Sequence, residues 1–229
     1  MSDSKEKWAA FYKRSGDGAR YPTEWVVRTI AGGKYPTLSL DRSAFPGSKI
    51  LDLSCGDGRN IELLLDLGFE VHGTEISLSQ VELLAEKGER LGWPVHFSVG
   101  NNASLPFEDE AFDYILACSS MYYLDVGVEW ETVLAEVSRV LKPGGLLFAN
   151  FPDRENSVLL EAKFKPDGTA VIGQDPFNLR NGIRFMTAQS VEDVQNRMGS
   201  GFLVQSAGHQ ANDYYGLMVS GYIFVAKKC

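Results

Sequence analysis

The stretch Lys49-Ile50-Leu51-Asp52-Leu53-Ser54-Cys55-Gly56-Asp57-Gly58-Arg59-Asn60 decides how this chain folds. Lys49 to Leu53 reads as a short buried strand, and a helix is expected from about Arg59 to Leu67. Two glycines at a strand-to-helix turn let backbone approach a ligand closely, and the helix N-terminus behind them favours negative charge. A nucleotide-like cofactor is implied. Glu75 ends the next predicted strand, Glu70 to Glu75, seventeen residues past Gly58, where a carboxylate can accept hydrogen bonds from both hydroxyls of a ribose. The third position of a dinucleotide fingerprint is Gly or Ala, whereas this chain has Ile61, which argues against NAD or FAD.

Outward from this turn, short apolar runs alternate with helical patterns, the signature of βαβ units and a parallel sheet. Ser77 is placed to cap a helix with an apolar stripe at Leu78, Val81, Leu84, Ala85 and Leu91. Val95 to Val99 and Phe112 to Cys118 are strands 3 and 4. A helix over Val128 to Leu141 ends at Lys142-Pro143-Gly144-Gly145, and Leu146 to Phe151 is strand 5. The alternation breaks over residues 152–188, read as an insertion. A helix near Ala188 to Met198 leads to strand 6, Gly201 to Gln210, and strand 7 is Gly221 to Lys227. The ten residues between the last two strands are too few for a parallel crossover, so a hairpin with one antiparallel strand is expected. Ahead of the sheet, Asp3 to Ser15 reads as a helix with Trp8, Phe11 and Tyr12 on one side, stopped by Gly16-Asp17-Gly18. A second helix runs from Pro22 or Thr23 to Gly32-Gly33.

Composition excludes several classes of function. The chain has 229 residues, 44% hydrophobic and 23% charged, enough for one substantial core. No apolar run approaches the roughly 18 to 20 residues of a membrane span, and the polar start MSDSKEK has no apolar h-region after it, so a cytoplasmic protein is expected. Cys55, Cys118 and Cys229 form no CxxC and no zinc spacing with His72, His96 and His209, so neither a disulfide framework nor a metal is expected. The net charge of −8 opposes a nucleic-acid partner. Residues 1–34 carry a net +3 and the remainder −11, a separation that suits docking of the N-terminal segment on its own core, the preferred reading, or attraction of an acidic acceptor such as a carboxylate or phosphosugar.

The run Ile50 to Gly58 strongly resembles motif I of the class I S-adenosylmethionine (SAM) dependent methyltransferases. The same family has an acid ending strand 2, matched by Glu75, and a segment like Gly100-Asn101-Asn102-Ala103-Ser104-Leu105-Pro106-Phe107 ahead of Phe112-Asp113. It also has Leu141-Lys142-Pro143-Gly144-Gly145 before strand 5, so four motifs match in order over residues 49–151. The resemblance implies a single α/β domain over residues 1–229, with a Rossmann-like, seven-stranded, mostly parallel sheet. Its strand order is 3-2-1-4-5-7-6, with strand 7 antiparallel and helices on both faces. Residues 1–45 become an N-terminal helical lid and residues 152–188 an insertion covering the acceptor site.

Carried over position by position, the resemblance sets the backbone of Ser54, Cys55 and Gly56 along the methionine of SAM, with Asp52 orienting the loop and the amino group. Glu75 holds the ribose and Ile76 lies against the adenine. Asn101 stands where many members have an Asp facing the adenine amino group, and the Asn102 amide faces a ring nitrogen. Ser54 replaces the commonest first glycine. Cys118 borders the pocket and Tyr21 closes over the methionine end beside Arg20, a candidate anion contact. Residues just after strand 4 border the transferred methyl in this family, which makes Tyr122 and Tyr123 candidates to flank the sulfonium or steer the acceptor. His209, near the acceptor side, is a candidate base, and Tyr214 and Tyr215 fall in the final loop where members line the acceptor cavity. The sequence lacks an Asn-Pro-Pro-Tyr type motif and the acidic cluster of catechol-type enzymes.

The expected function is in-line transfer of a methyl group from SAM to a small-molecule acceptor, leaving S-adenosylhomocysteine (SAH), by a monomer or weak homodimer. The alternatives are an NAD-dependent oxidoreductase, a non-catalytic SAM-binding regulator, and a methyltransferase acting on tRNA or protein.

Overall fold

The computed structural model describes Trp8, Ala10 to Tyr12 and residues 21–229. Seven strands form the main sheet: β1 (Lys49–Asp52), β2 (Glu70–Glu75), β3 (His96–Val99), β4 (Phe112–Ala117), β6 (Leu141–Pro152), β10 (Phe202–Tyr214) and β11 (Leu217–Lys228). Their spatial order is β10-β11-β6-β4-β1-β2-β3. With four short strands elsewhere taken out of the numbering, this is the expected 3-2-1-4-5-7-6. The β1–β2, β1–β4, β2–β3 and β4–β6 pairs are parallel, while β11 runs antiparallel to both β6 and β10.

The middles of the central strands, Ile50-Leu51, Tyr114 to Ala117 and Leu147 to Ala149, are apolar because both their faces are covered. Successive residues alternate between two cores: Leu51, Ile115 and Leu147 point into one, while Ile50, Leu116 and Phe148 point into the other. The first core takes α4 (Trp130–Val140) and α5 (Val191–Met198). The second takes α1 (Glu24–Val26, continued as a π turn over Val27–Ala31) and α2 (Ile61–Asp66). Between β2 and β3, α3 (Leu78–Leu91) begins where Ser77 Oγ accepts the Gln80 backbone N–H, as the cap position predicts, and stops at left-handed Gly92. The Asp3–Ser15 helix, its Gly16–Gly18 stop and Arg20 lie outside the described residues, apart from Trp8 and Ala10 to Tyr12, which are helical.

Two features differ from the sequence reading. The ten-residue loop expected between the last strands is instead strand, because β10 and β11 pair from Phe202–Lys228 up to Tyr214–Leu217. Only Tyr215 and Gly216 turn the chain, both with positive φ (57° and 91°), as in a type I′ hairpin. Tyr215 is therefore fully exposed and Tyr214 is 48% exposed, and neither lines a cavity. The insertion supplies three strands of a second antiparallel sheet, β9 (Arg184–Met186), β8 (Thr169–Val171) and β7 (Lys163–Phe164), whose fourth is β5 (Tyr123–Leu124). The sheet's outer strand β5 is the segment just after β4, so Tyr123 pairs with Phe185 and the insertion is tied to the end of the main sheet.

Candidate active site

The glycine loop leaves β1 between β2 and β4, at the carboxyl ends of the strands where the sheet order reverses and ligands of such folds sit. Ser54 holds φ = 52°, a left-handed conformation favoured by glycine, so this serine occupies the backbone shape its position requires. Its N–H is held by Thr74 Oγ1 (3.1 Å) and its hydroxyl donates to Asn102 Oδ1 (3.2 Å). Gly56 has φ = 66°, and a Cβ there would come within 2.8 Å of the Tyr12 hydroxyl. The buried Glu75 carboxylate closes the loop by accepting the backbone N–H of Gly56 at 2.6 Å and that of Ile76 at 3.1 Å.

Two adjoining cavities flank this loop. The first, about 730 Å³, is lined by Glu75, Ile76, Asn101, Asn102, Ala103 and Ser120 among others. The second, about 1360 Å³, runs from Asp52 and the Ser54–Asp57 loop past Cys118 and Ser119 to Tyr122, Phe177, Arg180, Phe185 and Met218. Trp8, Tyr12, Ser54, Ser119 and Tyr123 line both. Of the residues singled out from sequence, Asp52, Ser54, Cys55, Gly56, Glu75, Ile76, Asn101, Asn102, Cys118, Tyr122 and Tyr123 all line one or both cavities. Tyr21 does not: its side chain is 81% exposed. His209 is also absent from both linings, since its Nε2 lies 2.6 Å from Asp153 Oδ2 and Ser220 Oγ donates to the same oxygen at 2.7 Å. Ser220 Oγ also lies 3.3 Å from His209 Nε2, and the three side chains join β10, β11 and the residue after β6 outside both cavities. Among the described residues no three His, Cys, Asp or Glu side chains gather as a metal site.

The family described as "Methyltransferase domain" matches residues 51–149, the segment that holds both carboxylates and the glycine loop. That segment is thus similar to a methyltransferase domain. The chain is 36% identical over 111 residues to Methyltransferase GfsG of Streptomyces halstedii, covering 47% of this chain and 38% of that protein. It is 34% identical over 110 residues to O-methyltransferase rstn1 of Aspergillus nomiae, covering 46% and 47%. The matched segment thus spans less than half the length of these curated relatives. The whole chain superposes on PH0226 protein from Pyrococcus horikoshii OT3 with a TM-score of 0.66 and 27% identity, covering 96% and 99% of the two chains.

The electrostatics of the site suit a ligand with a cation at one end and hydroxyl donors at the other. Asp52 is fully enclosed, and its Oδ2 has no hydrogen-bond partner among the described residues. Burial first, and then repulsion from Glu75 and Asp57, pushes its pKa up to about 8. Burial likewise raises Glu75 to about 7, against the lowering effect of its two backbone hydrogen bonds. An ammonium group beside Asp52 supplies the missing partner and favours the ionised form. Each Glu75 oxygen accepts one backbone N–H and keeps a lone pair for a hydroxyl donor. Ser120 Oγ, on the first cavity, is a second buried polar atom without a partner among the described residues. These features fit SAM.

Asn102 is a clamp between three loops: its Nδ2 donates to Ser120 O (2.9 Å) while its Oδ1 accepts from Ser54. Asn101 Oδ1 accepts the Ala103 N–H at 2.9 Å, an Asx turn that shapes the same wall. Cys118 donates to Thr23 Oγ1 at 3.5 Å, and burial raises its pKa to about 11, so it remains a thiol. Tyr122 and Tyr123 stack at 5.1 Å, Phe185 packs on both, and burial raises both phenols.

Sequence reasoning missed three residues here. Tyr12 and Trp8 reach the cavities in place of Tyr21, stacking on each other at 5.6 Å with Trp8 also edge-on to Tyr123. The signal was their shared face on the predicted first helix. Arg180, in the insertion, donates Nε–H to the Tyr123 hydroxyl at 2.8 Å and pairs with the buried Asp175. Nothing in its local sequence marks it.

Proposed function

We infer that this protein transfers a methyl group from SAM to a small-molecule acceptor. The observation that carries the reading is the placement of two buried carboxylates on either side of one glycine loop, Glu75 on the first cavity and Asp52 on the second. In this reading Glu75 holds the ribose hydroxyls, Ile76, Asn101 and Asn102 line the adenine end, and Asp52 with the Ser54–Gly56 backbone receives the amino-acid end. When bound, SAM supplies an electrophilic methyl on a sulfonium, whose sulfur retains the bonding pair after transfer. The protein's own contribution is alignment and exclusion of water, since holding two reactants in line supplies about 7–11 kcal/mol. General-base assistance adds about 10²–10⁴ in rate where it is used.

The aromatic wall of Trp8, Tyr12 and Tyr123 and the insertion at residues 152–188 serve in this reading as lid and acceptor cover. A relative named Squalene methyltransferase 1, from Botryococcus braunii, supports a small-molecule acceptor. We expect a cytoplasmic protein, monomeric or weakly dimeric; no described helix is long and apolar enough to cross a membrane.

Calorimetric titration with SAM, SAH and NAD tests the cofactor assignment. Binding of SAM and SAH without NAD is expected, and tight NAD binding with no response to SAM overturns the reading. Incubation of the protein and methyl-labelled SAM with the small-molecule, tRNA and protein fractions of a cell extract tests the acceptor class. Label in the small-molecule fraction is expected; label in none indicates a regulator.

A further inference from the structure

Arg180 stands in an apolar part of the second cavity. Tyr123 and Phe177 lie against it, and the same cavity is lined by Tyr122, Phe185 and Met218. A guanidinium enclosed among aromatic and aliphatic groups is costly to desolvate unless each of its donors is used. Nη1 bonds both oxygens of Asp175 (3.1 and 3.0 Å), and Nε bonds the Tyr123 hydroxyl. The faces of the group lie near aromatic rings, 5.1 Å from the Trp8 centroid and 5.8 Å from that of Phe177. Nη2 has no hydrogen-bond partner among the described residues.

The direction of the Tyr123 bond matters as much. A phenol oxygen that accepts Nε–H keeps its own proton to give, so Tyr123 is a donor toward whatever occupies the cavity. Arg180 Nη2 and Tyr123 O–H are then two donors on one wall, both suited to a single acceptor-rich group. Asp175 does not compete for these donors: its oxygens take Nη1 and the backbone N–H groups of Phe177, Leu179 and Arg180. The lining residues from Tyr122 onward in sequence include no Asp, Glu or His to remove a proton from a neutral nucleophile, and the acids that do line this cavity, Asp52 and Asp57, belong to the glycine loop and its strand. A group that arrives ionised needs no such base.

We propose that Arg180 Nη2 and Tyr123 O–H form an anion-binding subsite, and that the acceptor is an apolar or aromatic molecule carrying a carboxylate or another ionised oxygen. This rests on the methyltransferase reading, because it assigns the second cavity to the acceptor. Charge-assisted hydrogen bonds of this kind contribute about 1.5–3 kcal/mol, or about a 10- to 100-fold preference for the anion over a neutral molecule of the same shape.

The test uses full-length protein saturated with SAH and titrates 2-naphthoate against 2-naphthamide, which has the same rings but no charge. Naphthoate is expected to bind at least about tenfold more tightly than the amide. Arg180→Lys keeps a positive charge beside Asp175, so the loop keeps its counter-ion, yet its compact ammonium lacks the planar fork whose separate nitrogens reach Asp175, Tyr123 and a ligand in fixed directions. This variant and the charge-neutral pair Arg180→Gln with Asp175→Asn are expected to bring the two ligands within about threefold of each other. Tyr123→Phe is expected to lose part of the preference. A purely structural role for Arg180 weakens both ligands equally and leaves their ratio intact, which overturns the proposal. So does equal or tighter binding of the amide, or failure of the SAH complex to bind naphthoate. SAH affinity is measured first in every protein: its loss in the unsubstituted chain removes the cofactor reading itself, a result separable from any change in the ligand ratio.

Discussion

Glu75 Oε1 and the backbone nitrogen of Gly56, nineteen residues apart in sequence, are 2.6 Å apart in space, so the end of β2 and the loop leaving β1 form one rigid rim. Glu75→Gln retains the side-chain shape but can set an amide N–H against the Gly56 or Ile76 donor. The expected loss is about 1–3 kcal/mol of stability together with at least about a tenfold fall in SAH affinity. Calorimetric unfolding and SAH titration read the two effects separately, and an unchanged SAH affinity removes Glu75 from the ribose.

The raised carboxyl groups give a definite pH dependence. Asp52 at about 8 and Glu75 at about 7 stay protonated in the folded protein at pH values where the unfolded chain has ionised them. A raised folded pKa contributes stability that is fully present at low pH and is lost as pH rises through the folded value. The ligand-free protein is therefore expected to lose melting temperature between about pH 5 and pH 8, more shallowly in Asp52→Asn. Because an ammonium favours ionised Asp52, SAH binding near neutral pH is expected to release protons. Binding enthalpies that do not change between buffers of different ionisation heat would falsify this.

The two N-terminal aromatics differ from Tyr21 in consequence. Trp8→Ala removes a ring that lines both cavities, and the expected result is SAH affinity lowered by about tenfold, since a well-packed aromatic contact and its buried area contribute a kcal/mol or more. Tyr21→Ala, at an 81% exposed position, is expected to leave SAH affinity unchanged. Titration of both variants decides which tyrosine-rich stretch covers the cofactor.

His209→Ala is expected to keep kcat within about threefold of the parent, because the imidazole is held on Asp153 and lines neither cavity. The same substitution leaves buried Asp153 with fewer partners, so a stability loss of about 1–2 kcal/mol should appear in denaturant unfolding. A collapse of turnover with intact stability would restore His209 as a base.

What could be read from sequence was what neighbouring residues encode. The strand, the two glycines and the acid at the end of β2 act through local backbone shape, and all were placed correctly along with the strand order. Ser77 opens α3 by the cap chemistry its place in the sequence announces, and left-handed Gly92 closes it. The second sheet was invisible because β5 and β7 are two residues long and β8 and β9 three, too short to show a period of two. The Tyr215-Gly216 turn escaped because a tyrosine at positive φ is uncommon, and the strands beside it carry no strict alternation of burial. Which aromatic reaches the cofactor cavity, Tyr12 or Tyr21, and which arginine enters the second cavity are decided by tertiary packing, and no local pattern announces them.

The aromatic partition formed by Trp8 and Tyr12 has a practical side. A purification handle or fluorescent fusion joined just ahead of Trp8 sits within a few residues of rings that line both cavities, whereas one joined at Cys229 leaves from an exposed residue beside β11. A preparation judged inactive after upstream tagging will first need its handle cleaved before the loss is blamed on chemistry.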